Sequence, residues 1–144
     1  MSTPAFVGIE NEDGTVDYVC CRCDGYPMPE ENGVGYCLAC HYQDPKKVRQ
    51  LLSRGDLLDI GPAMDPPEGV PHTFYFPAEG VCVFYSQTEQ PPRRAESASR
   101  FAELSLISGV AFAYLLTPQG WKWQDSRYTK HSGVWHPLLT EATA

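Results

Sequence analysis

Two C-x-x-C pairs, Cys20/Cys23 and Cys37/Cys40, stand thirteen residues apart in the run CCRCDGYPMPEENGVGYCLACH from Cys20 to His41. No other feature of the chain restricts its folding as much, because this is the spacing of a tetrahedral zinc site. Each two-residue gap lets a tight turn aim both sulfurs at one ion, and the intervening loop brings the second pair round to close the cage. The expectation is one structural Zn²⁺ held by Cys20, Cys23, Cys37 and Cys40, in a zinc-ribbon-like corner over about residues 18–43. Cys21 stands as an alternative to Cys20, and His41 to Cys40. The competing reading is a set of buried or free thiols, since unpaired cysteine is among the most buried residue types. A closed four-thiolate cage has no open position, so such a metal would hold structure and do no chemistry.

The zinc would pin one corner without holding up the whole fold. A chain of 144 residues is about one domain, able to bury roughly two thirds of its surface without help, so residues 1–144 read as a single domain. Residues 130–144 read as a flexible tail. No run of eighteen apolar residues and no charged-then-apolar amino terminus is visible, which predicts neither a membrane span nor a secretory leader. Cysteines at metal spacing suit a reducing compartment, and the expected location is the cytoplasm.

The net charge of −7 is unevenly placed. Residues 1–44 carry eight acids (Glu10, Glu12, Asp13, Asp17, Asp24, Glu30, Glu31, Asp44) against the single base Arg22, while the rest balances at ten acids and ten bases. Such a lobe repels phosphate backbones and attracts a basic surface. Asp17, Asp24, Glu30 and Glu31 are therefore the candidate partner-binding residues. The plainer reading is that acids keep a small protein soluble.

Residues 5–10 and 15–21 read as two strands joined through Asn11-Glu12-Asp13-Gly14, and the second runs into the first cysteine pair. A short helical turn is expected around residues 37–42. Asp44-Pro45 starts a helix with Asp44 as its cap; Val48, Leu51 and Leu52 form its apolar face and Gly55 its stop. Residues 56–71 read as a long surface loop, 73–76 and 80–85 as strands, with Cys82 a packed core thiol. About 95–107 reads as a helix burying Phe101, Leu104 and Ile107. Residues 110–116 and 121–124 make a last hairpin. The fold class expected is α+β, an antiparallel sheet packed against one or two helices.

The segments VGIENEDGTVDYVCCRCDGYP and GYCLACHYQDPKKVRQLLSRGDLLDIG resemble a family of small uncharacterised proteins carried by bacteriophages and mobile elements. That family pairs an I-Y-C-H-W-D-G-Y-P strand and turn with a K-V-x-x-L-I-x-L-G-D-L helix. Here Cys21, Asp24, Gly25, Tyr26, Pro27, Lys47, Val48, Leu51, Gly55, Asp56 and Leu57 match, and AFAYLLTPQGWKW is similar to its closing hairpin. Cys20 and Cys23 replace the family's tyrosine and tryptophan, and Arg22 its histidine. The resemblance implies an origin and a fold more than an activity.

No nucleophile elbow, phosphate loop or catalytic carboxylate pair is present in the sequence, so catalysis is not expected. The expected function is binding: a small phage-type protein that inhibits or redirects a host protein such as RNA polymerase or a defence complex, in the host cytoplasm. The alternative is a zinc-ribbon nucleic-acid-binding regulator using Lys46, Lys47, Arg49 and Arg54, which otherwise read as a solvated helix face.

Overall fold

The hairpin set by the Asp-Gly turn forms the middle of one sheet. In the computed structural model, which describes residues 2–27 and 33–138, β1 (Ala5–Glu10) pairs antiparallel with β2 (Val16–Cys21), Ala5 opposite Cys21 and Glu10 opposite Val16. Ala5, Phe6, Val7 and Ile9 are all buried. A strand apolar on both sides belongs at the centre of a sheet covered on both faces, and β1 is that strand.

After β2 come α1 (Val34–His41), α2 (Pro45–Leu52) and β3 (Leu57–Asp59). The α2 boundaries follow from local chemistry. The Asp44 carboxylate accepts from the Lys46 N–H at 3.0 Å, Pro45 takes the first turn, and Gly55 leaves the helix at φ 84°, a left-handed conformation that favours glycine. Val48, Leu51 and Leu52 are buried as expected.

The remaining elements are β4 (Val83–Phe84), β5 (Arg93–Ala95), α3 (Ala98–Ile107), β6 (Phe112–Thr117), β7 (Gly120–Asp125) and β8 (His136–Pro137). The sheet runs β4-β3-β2-β1-β6-β7-β8, with β5 also paired to β2. The fold class is α+β, but the sheet is mixed where an all-antiparallel one was expected. The pairs β1–β6 and β2–β3 are parallel. Two helices separate β2 from β3 and return the chain to the same end of the sheet, which is the condition for parallel pairing.

Three local expectations are also corrected. Residues 73–76 form a turn, β3 lies inside the stretch read as loop, and Ile107 is 70% exposed while Phe101, Ala102 and Ser105 face inward. The segment read as a tail is tied to the sheet through residue 138: Leu138 N–H donates to the Trp121 carbonyl, Gly133 N–H to the Gln124 side-chain oxygen, and Trp135 stacks on Phe101 at 6.2 Å.

Alternation along the strands makes two cores. Val7, Ile9, Val19, Cys21, Tyr114 and Leu116 face α1 and α2. Phe6, Val16, Tyr18, Ala113 and Leu115 face α3.

Candidate functional site

The sheet separates the cysteines expected to share a metal. Side chains alternate along β2, so Cys21 enters the core beneath α1 and α2, where Cys37 also sits, while Cys20 packs against the α3-side core. Cys23 lies just past the end of β2 and Cys40 is exposed on α1. Among the described residues no three His, Cys, Asp or Glu side chains group as metal ligands. Burial pushes the Cys37 thiol up to about 12 and Cys21 well above its ordinary value, and it raises Cys20 and Cys23 as well. Among the described residues Cys20 lies on the α3 side of the sheet and Cys37 on the other, so Cys20, Cys23, Cys37 and Cys40 do not come together as one group of four sulfurs.

A measurement follows from that geometry. With a thiol reagent under native conditions, exposed Cys40 should react first and buried Cys21, Cys37 and Cys82 last, in an order that a chelator leaves unchanged. Metal analysis after zinc-supplemented expression should give well under one equivalent. A full equivalent, with Cys40 protected until chelator is added, would mean that the end of β2 is arranged otherwise.

The candidate acidic surface is partly neutralised. Asp17 is held by Arg94 across the β2–β5 pair at 2.8 Å and approached by Arg49 at 3.9 Å. Asp24 is exposed, at φ 55°, and Glu30 and Glu31 lie outside the described residues. Three of the four bases read as a nucleic-acid face, two on α2 and Arg54 just beyond it, are also engaged. Lys47 donates to the His41 and Pro62 carbonyls, Arg49 to Asn11, and Arg54 to Asp65 while lying 4.2 Å from the Phe84 ring centre.

The structure presents a different surface. Tyr75 and Phe76 are 82% and 83% exposed at the tip of the loop between β3 and β4. His72 holds the base of that tip. Its Nδ1 accepts from the Ala78 N–H at 2.9 Å, which leaves the proton on Nε2 to donate to the Cys82 carbonyl at 3.0 Å. Thr73 and Phe76 close the turn reciprocally: Thr73 N–H donates to the Phe76 carbonyl and Phe76 N–H to the Thr73 hydroxyl. Phe74 packs between Tyr75 and Tyr85. Residues 62–90 carry Asp65, Glu68, Glu79 and Glu89 with no lysine or arginine. Only Asp65 of these is in an ion pair among the described residues. The flanking prolines at 71 and 77 were the available signal that TFYF is a turn and not a strand.

A second feature lies at a break in the sheet edge. β5 pairs with β2 over Val16–Tyr18 and β3 pairs only at Cys21, so Cys20 has no strand partner on that side. The Asp56 carboxylate supplies one, accepting the Cys20 N–H at 2.9 Å, and Arg93 grips the same carboxylate with two hydrogen bonds at 2.9 and 3.3 Å. A cleft of about 610 Å³ opens beside this junction. Asp56, Tyr85 and Arg93 carried no mark of it in the sequence, because they meet only through tertiary structure.

No helix among the described residues is long and apolar enough to cross a membrane. No family model matches this chain, and neither curated proteins nor solved structures match it.

Proposed function

We propose that this protein is a non-catalytic binding module whose recognition element is the 73–76 turn, and that its partner is a protein presenting an apolar pocket with a basic rim. The observation that carries the reading is a pair of aromatic side chains more than four-fifths exposed on a turn that His72 and Thr73 hold in shape. Aromatic anchors dominate interface energetics when they fill a pocket. A turn already fixed by hydrogen bonds loses little ordering entropy on binding. The acids around it supply the field: Glu68, Glu79 and Glu89 are exposed and no base interrupts residues 62–90, so a basic rim would speed encounter. This keeps the partner chemistry expected from the net charge but moves the contact from residues 1–44 to the aromatic loop. The resemblance to phage-borne proteins makes a host protein, RNA polymerase or a defence complex, the first to screen.

The double variant Tyr75→Ala/Phe76→Ala tests it. Both side chains face solvent, so circular dichroism and melting temperature should stay unchanged, while affinity for a protein captured by the wild-type chain should fall about thirtyfold or more, the loss expected for a hot spot. Association of the wild-type chain should slow as ionic strength rises past about 0.1 M, where the screening length drops below about 10 Å. Equal affinity of variant and wild type would place the interface elsewhere.

A further inference from the structure

The two hydrogen bonds of His72 support the exposed turn only while the ring is neutral. We propose that His72 is a proton-operated latch: neutral, it holds the Tyr75–Phe76 turn in shape, and on taking a proton it releases the leg of the turn at Ala78. A backbone N–H can only donate, so the 2.9 Å contact from Ala78 requires a lone pair on Nδ1. The ring proton then sits on Nε2 and goes to the Cys82 carbonyl at 3.0 Å. Protonation puts a second N–H on Nδ1, opposed to the Ala78 N–H, while the Nε2 bond to Cys82 gains charge assistance. The ring therefore stays on Cys82 and lets Ala78 go.

The layout of the turn converts that single loss into movement of its returning leg. Thr73 and Phe76 are closed on each other by hydrogen bonds of 3.2 and 3.0 Å, and Phe74 packs on Tyr85 with ring centroids 5.5 Å apart, so the tip keeps its own shape and its outgoing leg stays anchored. On the returning leg, the next tie to the body of the loop after Ala78 is the Gly80 carbonyl, which accepts the Ala63 N–H at 3.1 Å. Residues 77–79 are therefore the segment set free. One base and one acid, Arg54 and Asp65, line the same small cavity as the ring and pair with each other at 3.1 Å. The Cys82 thiol is engaged by Gly61 and Tyr42, and Glu68 and Glu79 on the loop are exposed. Histidine is the side chain whose charge changes between about pH 5 and 8, so the hold is present above that range and lost as pH falls through it. The consequence for binding rests on the reading of this turn as the recognition element.

Nitrogen NMR of the full chain, titrated from about pH 8 to about pH 5, tests the latch without a partner. At the upper end the His72 ring should carry its proton on Nε2. As it takes up the second proton, the Ala78 amide signal should move with the same midpoint, and fast motion of residues 76–79 should increase while β1, β2 and β6 stay rigid. His72→Asn offers Oδ1 in place of Nδ1 as the acceptor and does not titrate, so its Ala78 signal should hold still. The proposal is overturned by a ring proton on Nδ1 at the upper end, by a ring that stays neutral throughout, by an Ala78 amide indifferent to the titration of His72, or by the same Ala78 shift in His72→Asn. Toward a protein captured by the wild-type chain, affinity should fall about fivefold further across this range for wild type than for His72→Asn. A turn that opens on cue with affinity unchanged would uphold the latch and remove the turn from the interface.

Discussion

Leu51→Ala is expected to lower the unfolding free energy by about 2–5 kcal/mol, the range for truncating a buried leucine. In a chain of this size the melting temperature should drop by about 6 to 15 °C. Leu51 is fully buried, in the core that also holds Leu38, Tyr42, Leu57 and Cys82. That core is braced from two sides. The Tyr42 hydroxyl donates to the Gly61 carbonyl at 2.6 Å and the Trp121 indole N–H donates to the Tyr42 carbonyl at 2.8 Å. Neighbours fixed in this way cannot collapse into the space a leucine leaves, which puts the cost toward the upper part of the range. Exposed Gln50 on the same helix is the control, and Gln50→Ala should leave stability within about 0.5 kcal/mol. A Leu51→Ala melting temperature within a degree or two of wild type would mean that α2 is not docked on the sheet.

Phe101→Ala should cost about 3–5 kcal/mol, on the opposite face of the sheet from Leu51. Phe101 is fully buried, with its ring 5.2 Å from Tyr18, 6.1 Å from Phe6 and 6.2 Å from Trp135. It sits directly on the backbone of β1: a Cβ added at Gly8 would lie 3.1 Å from the tip of the ring and 2.9 Å from Val16. Removing the ring takes away the anchor of α3 and the surface on which Trp135 stacks. Tryptophan emission should shift to the red as Trp135 gains water, and native-state hydrogen exchange of residues 130–138 should accelerate. Unchanged emission alongside a small drop in melting temperature would show that α3 is held by other contacts. The two variants act on opposite faces of the sheet with no shared neighbour in the two cores, so their effects should add within about 0.5 kcal/mol.

Local chemistry was legible in the sequence; convergence was not. The β1–β2 hairpin followed from its Asp-Gly turn, α2 from Asp44, Pro45 and the spacing of Val48, Leu51 and Leu52, and the β6–β7 hairpin from its two apolar runs around Gln119-Gly120. Each rests on residues close along the chain, where capping, turn geometry and periodicity act without regard to the rest of the fold. The parallel β1–β6 and β2–β3 pairs, the turn at Tyr75 and Phe76 stapled by His72 to residues 78 and 82, and the meeting of Arg22, Asp56, Tyr85 and Arg93 all depend on distant segments. The four cysteines show the same limit from the other side. Their spacing matched a zinc cage, but a strand alternates its side chains, and the place of Cys20 in β2 sends its sulfur to the α3 side of the sheet while Cys37 sits in the core on the other side. Sequence spacing fixes how far apart two sulfurs can be along the backbone, whereas the sheet decides which side of a protein layer each one occupies.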